Sequence, residues 1–265
     1  MSQPLPLKVA EVRKENPTMN TYVFKHNLRA KPGQFIMVWL PGVDEVPMSV
    51  GWQTDEEFHV GIANAGDCTK AIFDQVKPGD RLGIRGPYGT GFELKDSCKK
   101  IIIIGGGYGT PPLLLLAQKA VEKGIHVTAI LGARNEELLI YEKEFKKLGC
   151  EILISTDDGS KGHKGYSTDL LAELISKEKY DCVYTCGPEI MMVKIAEMAA
   201  AANMDCQVSL ERYMKCGFGV CGQCCMDDSG IRICKEGPVL NGAYALKHKE
   251  FGNYTRSSSG NIEKM

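Results

Sequence analysis

The chain has 265 residues, 43% of them hydrophobic and 25% charged, with a net charge of −1. That length allows two domains and a small module, and the balanced charge gives no electrostatic case for nucleic acid or an anionic membrane surface. No apolar run approaches the roughly 20 residues that span a bilayer, the N-terminus lacks the pattern of a secretory signal, and eleven cysteines, an odd number, fit thiolates in a reducing cytoplasm better than a disulfide scaffold.

Residues 1–95 read as all-β. Short runs at 21–24, 34–39 and 58–62 are bounded by Pro-Gly or Gly-Asp turns, the rhythm of a small barrel. Three small-residue stretches in this part suit an extended cofactor: Val46-Pro47-Met48-Ser49-Val50, Gly66-Asp67-Cys68-Thr69, and the run from Gly86 through Tyr88 to Phe92. Taken singly, each is only a turn.

The rhythm changes at residue 101. The four isoleucines at 101–104 are too short a run for periodicity to separate strand from helix, but the glycines that follow favour a buried strand. Helix 112–123, strand 125–131, helix 136–147, strand 151–155, helix 168–177, strand 182–185, helix 189–202 and strand 207–210 follow. This alternation predicts a doubly wound parallel α/β domain over 96–210. A cysteine-rich stretch at 211–240 lies in a module of 211–245. A tail occupies 246–265, and its final part, 253–265, contains Ser257-Ser258-Ser259-Gly260 and is expected to be mobile.

Two turns in the α/β region carry chemistry. Gly105-Gly106-Gly107-Tyr108-Gly109-Thr110-Pro111-Pro112 passes from a strand through glycines into a helix, which lets backbone amides approach a pyrophosphate. Thr110 stands where the dinucleotide fingerprint has its third glycine, and the second strand ends Gly132-Ala133-Arg134-Asn135 without the usual acid. Arg134 suits a 2′-phosphate, which would favour NADP, or is simply solvated. The two prolines fit the first turn of a helix. Thr185-Cys186-Gly187-Pro188 ends the fourth strand, and open α/β sheets bind ligands at such carboxyl ends. Cys186 there lines a nicotinamide pocket or packs in a strand-to-helix corner.

The strongest signal is Cys216, Cys221 and Cys224, spaced C-x4-C-x2-C, with Cys234 beyond. This is the spacing of a plant-type [2Fe–2S] loop, and the intervening glycines let the backbone bend tightly. Zinc sites usually pair two short knuckles, whereas here three cysteines share one loop. Cys225 competes with Cys224 as a ligand. Cys224 is expected to be the ligand, with Cys225 packing beneath it.

Taken in order, these residues resemble the ferredoxin–NADP reductase superfamily, and within it the electron transfer subunits of type B dihydroorotate dehydrogenase. The likeness covers 1–245. It rests on Pro47-x-Ser49, Gly86-Pro87-Tyr88-Gly89, the Gly105–Pro112 turn, Thr156-Asp157-Asp158-Gly159-Ser160, the Cys186-Gly187-Pro188 corner with Met191-Met192, and the cysteine module ending Cys234-Lys235-Glu236-Gly237-Pro238-Val239.

The resemblance implies a six-stranded antiparallel barrel for FAD, an α/β domain for NAD and a [2Fe–2S] module. Pro47, Met48, Ser49 and Val50 would lie along the flavin and its diphosphate, and Gly66, Cys68 and Thr69 would offer amides and a hydroxyl to the FAD phosphates. Gly105, Gly106, Gly107, Gly109 and Thr110, with Cys186, Gly187 and Pro188, would hold the nicotinamide nucleotide. Cys216, Cys221, Cys224 and Cys234 would hold the iron.

The implied function passes electrons between NAD(H) and an FMN-containing catalytic subunit that oxidises dihydroorotate in pyrimidine biosynthesis. The implied assembly is a heterotetramer with two copies of each chain, in the cytoplasm. No acid–base residue is expected, and the five histidines read as structural. One departure stands out. Many relatives carry an arginine for the FAD diphosphate near the flavin-strand serine, a charge-assisted pair, and this chain has Glu45-Val46-Pro47. Two other readings remain: the flavin subunit of an NAD-dependent ferredoxin:NADP oxidoreductase or sulfide dehydrogenase, and a non-catalytic module with zinc in place of iron.

Overall fold

The computed structural model describes residues 3–265. Strands β1 (Leu5–Asn16), β2 (Met19–Phe24), β3 (Phe35–Leu40), β4 (Asp44–Gln53), β5 (Phe58–Ala63) and β6 (Arg81–Tyr88) close into the expected barrel, in the order β1-β2-β5-β4-β3-β6. All six pairings are antiparallel. Inward positions are apolar, as a small closed barrel requires. Phe24 and Phe58 stack with ring centroids 5.0 Å apart, among Tyr22, Ile36, Val38 and Val60.

A helix that the sequence did not announce, α1 (Asp67–Gln75), lies between β5 and β6. Its Cys68 and Ile72 join the barrel core, and Tyr22 Oη donates to Ile72 O at 3.1 Å. The stretch read as the loop 66–69 is the cap and first turn of this helix.

The second sheet holds β7 (Lys100–Gly106), β8 (His126–Ala133), β9 (Glu151–Thr156), β10 (His163–Lys164), β11 (Cys182–Cys186), β12 (Asp205–Ser209) and β13 (Val239–Asn241). Their order is β10-β9-β8-β7-β11-β12-β13. The four isoleucines form the central strand β7 and alternate between faces. Ile102 and Ile104 enter the core under α4 (Ser167–Lys177) and α5 (Glu189–Ala201), and Ile101 and Ile103 enter the core under α2 (Pro111–Glu122) and α3 (Glu142–Lys147). Burial on both faces is what a continuous apolar run means in a doubly wound sheet.

Three further features depart from the sequence reading. The helix expected over 136–147 is interrupted: a 3-10 turn at Glu136–Leu138 precedes α3, and Tyr141 between them has a left-handed φ of 61°. The buried Tyr141 hydroxyl lies 2.8 Å from Thr21 Oγ1 of the barrel, so a contact between domains overrides helix continuation. The sheet is not wholly parallel. After β12 the chain leaves it, makes the cysteine module, and returns as β13, antiparallel to β12, with Leu210 N and Pro238 O 2.9 Å apart at the neck.

The module ends in a short helix, α6 (Gly242–Ala245), and the final stretch expected to be mobile, 253–265, instead forms a hairpin of β14 (Tyr254–Arg256) and β15 (Ile262–Lys264). Arg256 anchors the hairpin through a bidentate pair with Asp227, with N–O distances of 2.9 and 2.8 Å. Among the described residues no helix is long and apolar enough to cross a membrane.

The units share a core. Leu115 of α2 packs into the barrel, and Gln118 Nε2 donates to Gln53 O at 3.0 Å. Buried Arg212 bridges Glu189 at the start of α5 and Glu250 beyond the module, its Nε 2.6 Å from Glu250 Oε1. Charges buried this way are held by pairing.

Candidate functional site

A cavity of about 1210 Å³ opens over the carboxyl ends of β7, β8, β9 and β11, where ligands of open α/β sheets bind. It exceeds the ~300–1,000 Å³ typical of small-ligand sites, as an extended dinucleotide requires. Of the residues expected to hold the nucleotide, Gly106, Gly107, Gly109, Gly187 and Pro188 line it. Gly107 has a left-handed φ of 51°, and a β-carbon there would meet nothing within 4 Å, so its backbone faces open space.

The other expected residues stand behind this surface. Thr110 is buried and donates to Gly107 O at 2.9 Å, which tightens the turn. A β-carbon on Gly105 would come 2.7 Å from Thr110 Oγ1. Burial pushes the Cys186 thiol well up, with nearby Glu211 adding to the effect, so Cys186 is a neutral floor. Glu211 itself lines the cavity. Its carboxyl is raised first by desolvation and then by Glu189, because it is open to the cavity yet crowded by protein.

The flavin strand lies outside this cavity, and Ala65 is the barrel residue in its lining. Pro47, Met48 and Ser49 of β4 are half-buried. Val50 is different. Its side chain is fully buried in the barrel core, which leaves only its backbone to meet a cofactor.

The Gly66–Thr69 expectation also needs correcting at its side chains. Thr69 Oγ1 accepts from Gly66 N at 2.9 Å and Ala65 N at 3.2 Å and donates to Gly66 O, so this hydroxyl closes the α1 cap instead of facing outward. The buried Cys68 thiol donates to Asp44 O at 3.4 Å. That contact pins the start of α1 against the start of β4. Helix-start amides without intrahelical acceptors therefore sit beside the flavin strand, a combination that suits a flavin diphosphate.

The four expected iron ligands belong to one excursion from the sheet edge. Cys224 and Cys234 are buried, Cys216 is half-buried and Cys221 is exposed. Cys234 N donates to Cys224 Sγ and Val220 N to Cys216 Sγ, both at 3.4 Å. Burial works against ionisation of Cys216, but the amides of Cys221, Val220 and Phe218 outweigh it and bring the thiol down to about 6. Cys234 is shifted the other way, pushed up by burial and then by its contact with Cys224, so the loop favours a thiolate, the form that binds metal, at Cys216 alone of these two. Cys225 is half-buried and its backbone bridges to Arg232. Among the described residues no three Cys, His, Asp or Glu side chains are close enough to chelate a single metal ion. A two-iron cluster does not require that, since its four ligands are shared between two irons.

Sequence reasoning missed Arg85. Its guanidinium makes a bidentate pair with Glu45, Nε to Oε1 at 2.7 Å, and donates to Cys216 O at 3.1 Å. The arginine absent beside Ser49 is thus matched by one from β6, turned toward the cysteine loop. The C-terminal hairpin was missed too, yet Thr255, Arg256 and Ser257 line the large cavity.

Comparison with known proteins places this architecture. A family profile described as the iron-sulfur cluster binding domain of dihydroorotate dehydrogenase B matches residues 211–244. An oxidoreductase NAD-binding domain profile matches residues 103–197. A Methanocaldococcus jannaschii protein named as a probable dihydroorotate dehydrogenase B (NAD(+)) electron transfer subunit is 45% identical over 260 residues, 98% of each chain. A Methanocella arvoryzae protein of the same name is 40% identical over 268 residues, 99% of this chain and 100% of that one.

Among solved structures, an NADH-dependent reduced ferredoxin-NADP oxidoreductase studied for flavin-based electron bifurcation superposes with a TM-score of 0.81 at 27% identity, over 94% of this chain and 95% of that one. Phthalate dioxygenase reductase, at 20% identity and a TM-score of 0.60 over 74% of this chain and 64% of that one, shares the fold. With such identity along nearly its whole length, the chain belongs to the family of dihydroorotate dehydrogenase B electron transfer subunits.

Proposed function

We propose that this oxidoreductase chain takes FAD along β4 and the start of α1, NAD(H) in the large cavity, and a [2Fe–2S] cluster on Cys216, Cys221, Cys224 and Cys234. It would carry electrons between NAD(H) and a separate FMN-containing chain that oxidises dihydroorotate. When bound, these groups supply hydride exchange, the change from paired to single electrons, and one-electron transfer.

The chain's own contribution is placement. Gly107 lets a pyrophosphate approach the turn, and Gly187 and Pro188 bound the same cavity. One observation carries the reading most directly: the cysteine loop is seated on the barrel. A β-carbon on Gly217 would lie 2.8 Å from Met37 Cγ of β3 and 3.4 Å from Tyr88 of β6. Since β3 pairs with β4, only one strand separates the loop from the flavin strand.

Cys221→Ser tests this. NADH should still bleach the bound flavin, while electron delivery to the partner chain stops. Undiminished delivery would take the cluster off the path. A heterotetramer with two copies of each chain is the assembly to test, by the mass of the co-purified complex. Eleven unpaired thiols suit the reducing cytoplasm.

A second reading, the flavin subunit of a ferredoxin:NADP oxidoreductase, draws on the superposition reported above. It is weaker, at 27% identity against 45%. Co-purification with a ferredoxin-dependent partner instead of a dihydroorotate-oxidising one would favour it.

A further inference from the structure

We propose that the Glu45–Arg85 pair sets the reduction potential of the cluster, with Arg85 as a positioning residue held against the carbonyl of Cys216. This rests on the reading that Cys216 is an iron ligand.

The geometry is specific. Arg85 has a side-chain exposure of 9%, and its partner Glu45 20%. Two arms of the guanidinium engage the Glu45 carboxylate, and the third nitrogen, Nη1, reaches Cys216 O at 3.1 Å and Tyr88 Oη at 3.4 Å. The guanidinium carbon stands 5.7 Å from the ring centroids of both Tyr88 and Phe218, so aromatic faces cover it.

A second arginine does something similar at Gly219. Arg232 Nη1 donates to Gly219 O at 2.8 Å, and Arg232 pairs with Glu236. That pair is 34% and 37% exposed, so water and salt screen it. The Glu45–Arg85 pair is the less screened of the two.

Reduction adds one electron to the cluster and breaks no bond. A guanidinium bonded to a ligand's carbonyl favours the added negative charge, and hydrogen bonding and local charge are known levers on such potentials. Glu45, bonded to the other two nitrogens of the guanidinium, opposes it. The two members of the pair should therefore pull the potential in opposite directions, which a purely structural role would not do.

The test is a redox titration of the cluster followed by EPR, in the chain carrying its flavin, with flavin and cluster content read from the visible spectrum. Arg85→Gln should lower the midpoint potential and Glu45→Gln should raise it, each by about tenfold in the reduction equilibrium, 59 mV for one electron. Arg85→Lys, which keeps the charge, should return the potential toward that of the wild type. Unshifted potentials, or shifts of one sign in both Gln variants with cofactor content intact, overturn the proposal. If Arg85→Gln loses the cluster, the Glu45→Gln shift decides alone: upward supports the proposal, unchanged or downward overturns it. Cys216→Ser separates the two layers of argument. A wild-type cluster signal in that variant removes the ligand reading itself, whereas loss of the signal confines any failure to the Glu45–Arg85 pair.

Discussion

A β-carbon on Gly109 would stand 2.4 Å from the carbonyl carbon and oxygen of Cys186 and from the amide nitrogen of Gly187. The Gly105–Pro112 turn and the Cys186 corner therefore pack backbone against backbone, and no flexible side chain can yield. Gly109→Ala must push the two turns apart, an overpacking cost of ~1–3 kcal/mol. We expect NADH affinity to fall at least tenfold, about 1.4 kcal/mol, while flavin and cluster spectra persist. A fluorescence titration with NADH reads this, and unchanged affinity would show that the two turns do not form one nucleotide floor.

Adjacent cysteines provide the second prediction. Cys224 is buried and its sulfur accepts from Cys234 N, which ties two of the expected ligands together. Cys225 lies half-buried opposite Arg232, and burial raises its thiol. Cys224→Ser should abolish the reduced-cluster EPR signal, and Cys225→Ser should leave it in place. The reverse pattern would shift the ligand set by one residue.

The hairpin supplies the third. Arg256 holds it to Asp227, and Tyr254 Oη also donates to Asp227 at 2.9 Å. The Arg256 pair is about one-third exposed (35% and 32%), so its loss should cost little stability. Because Thr255, Arg256 and Ser257 line the cavity proposed for NAD(H), Arg256→Ala should instead show in nucleotide binding. The expected result is a severalfold rise in the NADH dissociation constant with little change in the urea midpoint. A large fall in midpoint with unaltered affinity would make the hairpin a structural brace and not a cavity wall.

The barrel, the central strand and the cysteine module were legible because each rests on a local pattern. Four isoleucines before three glycines have few uses other than a buried strand, and C-x4-C-x2-C is a spacing with chemical meaning. What the sequence hid was decided by partners far along the chain. Tyr141 breaks a helical pattern because its hydroxyl bonds to that of Thr21, 120 positions away. Arg85 and Glu45 lie 40 positions apart on strands flanking β3, and no spacing rule links them. Val50 fitted the flavin-strand motif, but a strand turns alternate side chains to opposite faces, and its side chain went to the core. Strand β13 has only three residues and lies beyond the cysteines, too short a run to announce that the chain returns to the sheet.

The fourth prediction concerns acid stability. Asp181 Oδ2 accepts from Lys100 N at 2.9 Å and Lys99 N at 2.6 Å, which ties the entrance of β11 to that of β7. These amides, Lys100 first, hold the carboxyl below its usual value, about 3.9 in an unfolded chain. The folded state thus gives up this proton more readily than the unfolded one. Its stabilisation is complete above the unfolded value and fades as pH falls through the lower folded value. Asp181→Asn keeps a neutral acceptor and loses the charge-assisted part. The variant should melt earlier than the wild type at pH 7, and the gap should close as pH falls below about 4. Acid loss of the cluster affects both proteins alike, so the difference between their melting curves is the quantity to measure. If that difference does not change with pH, the Asp181 carboxylate does not hold the two strands together.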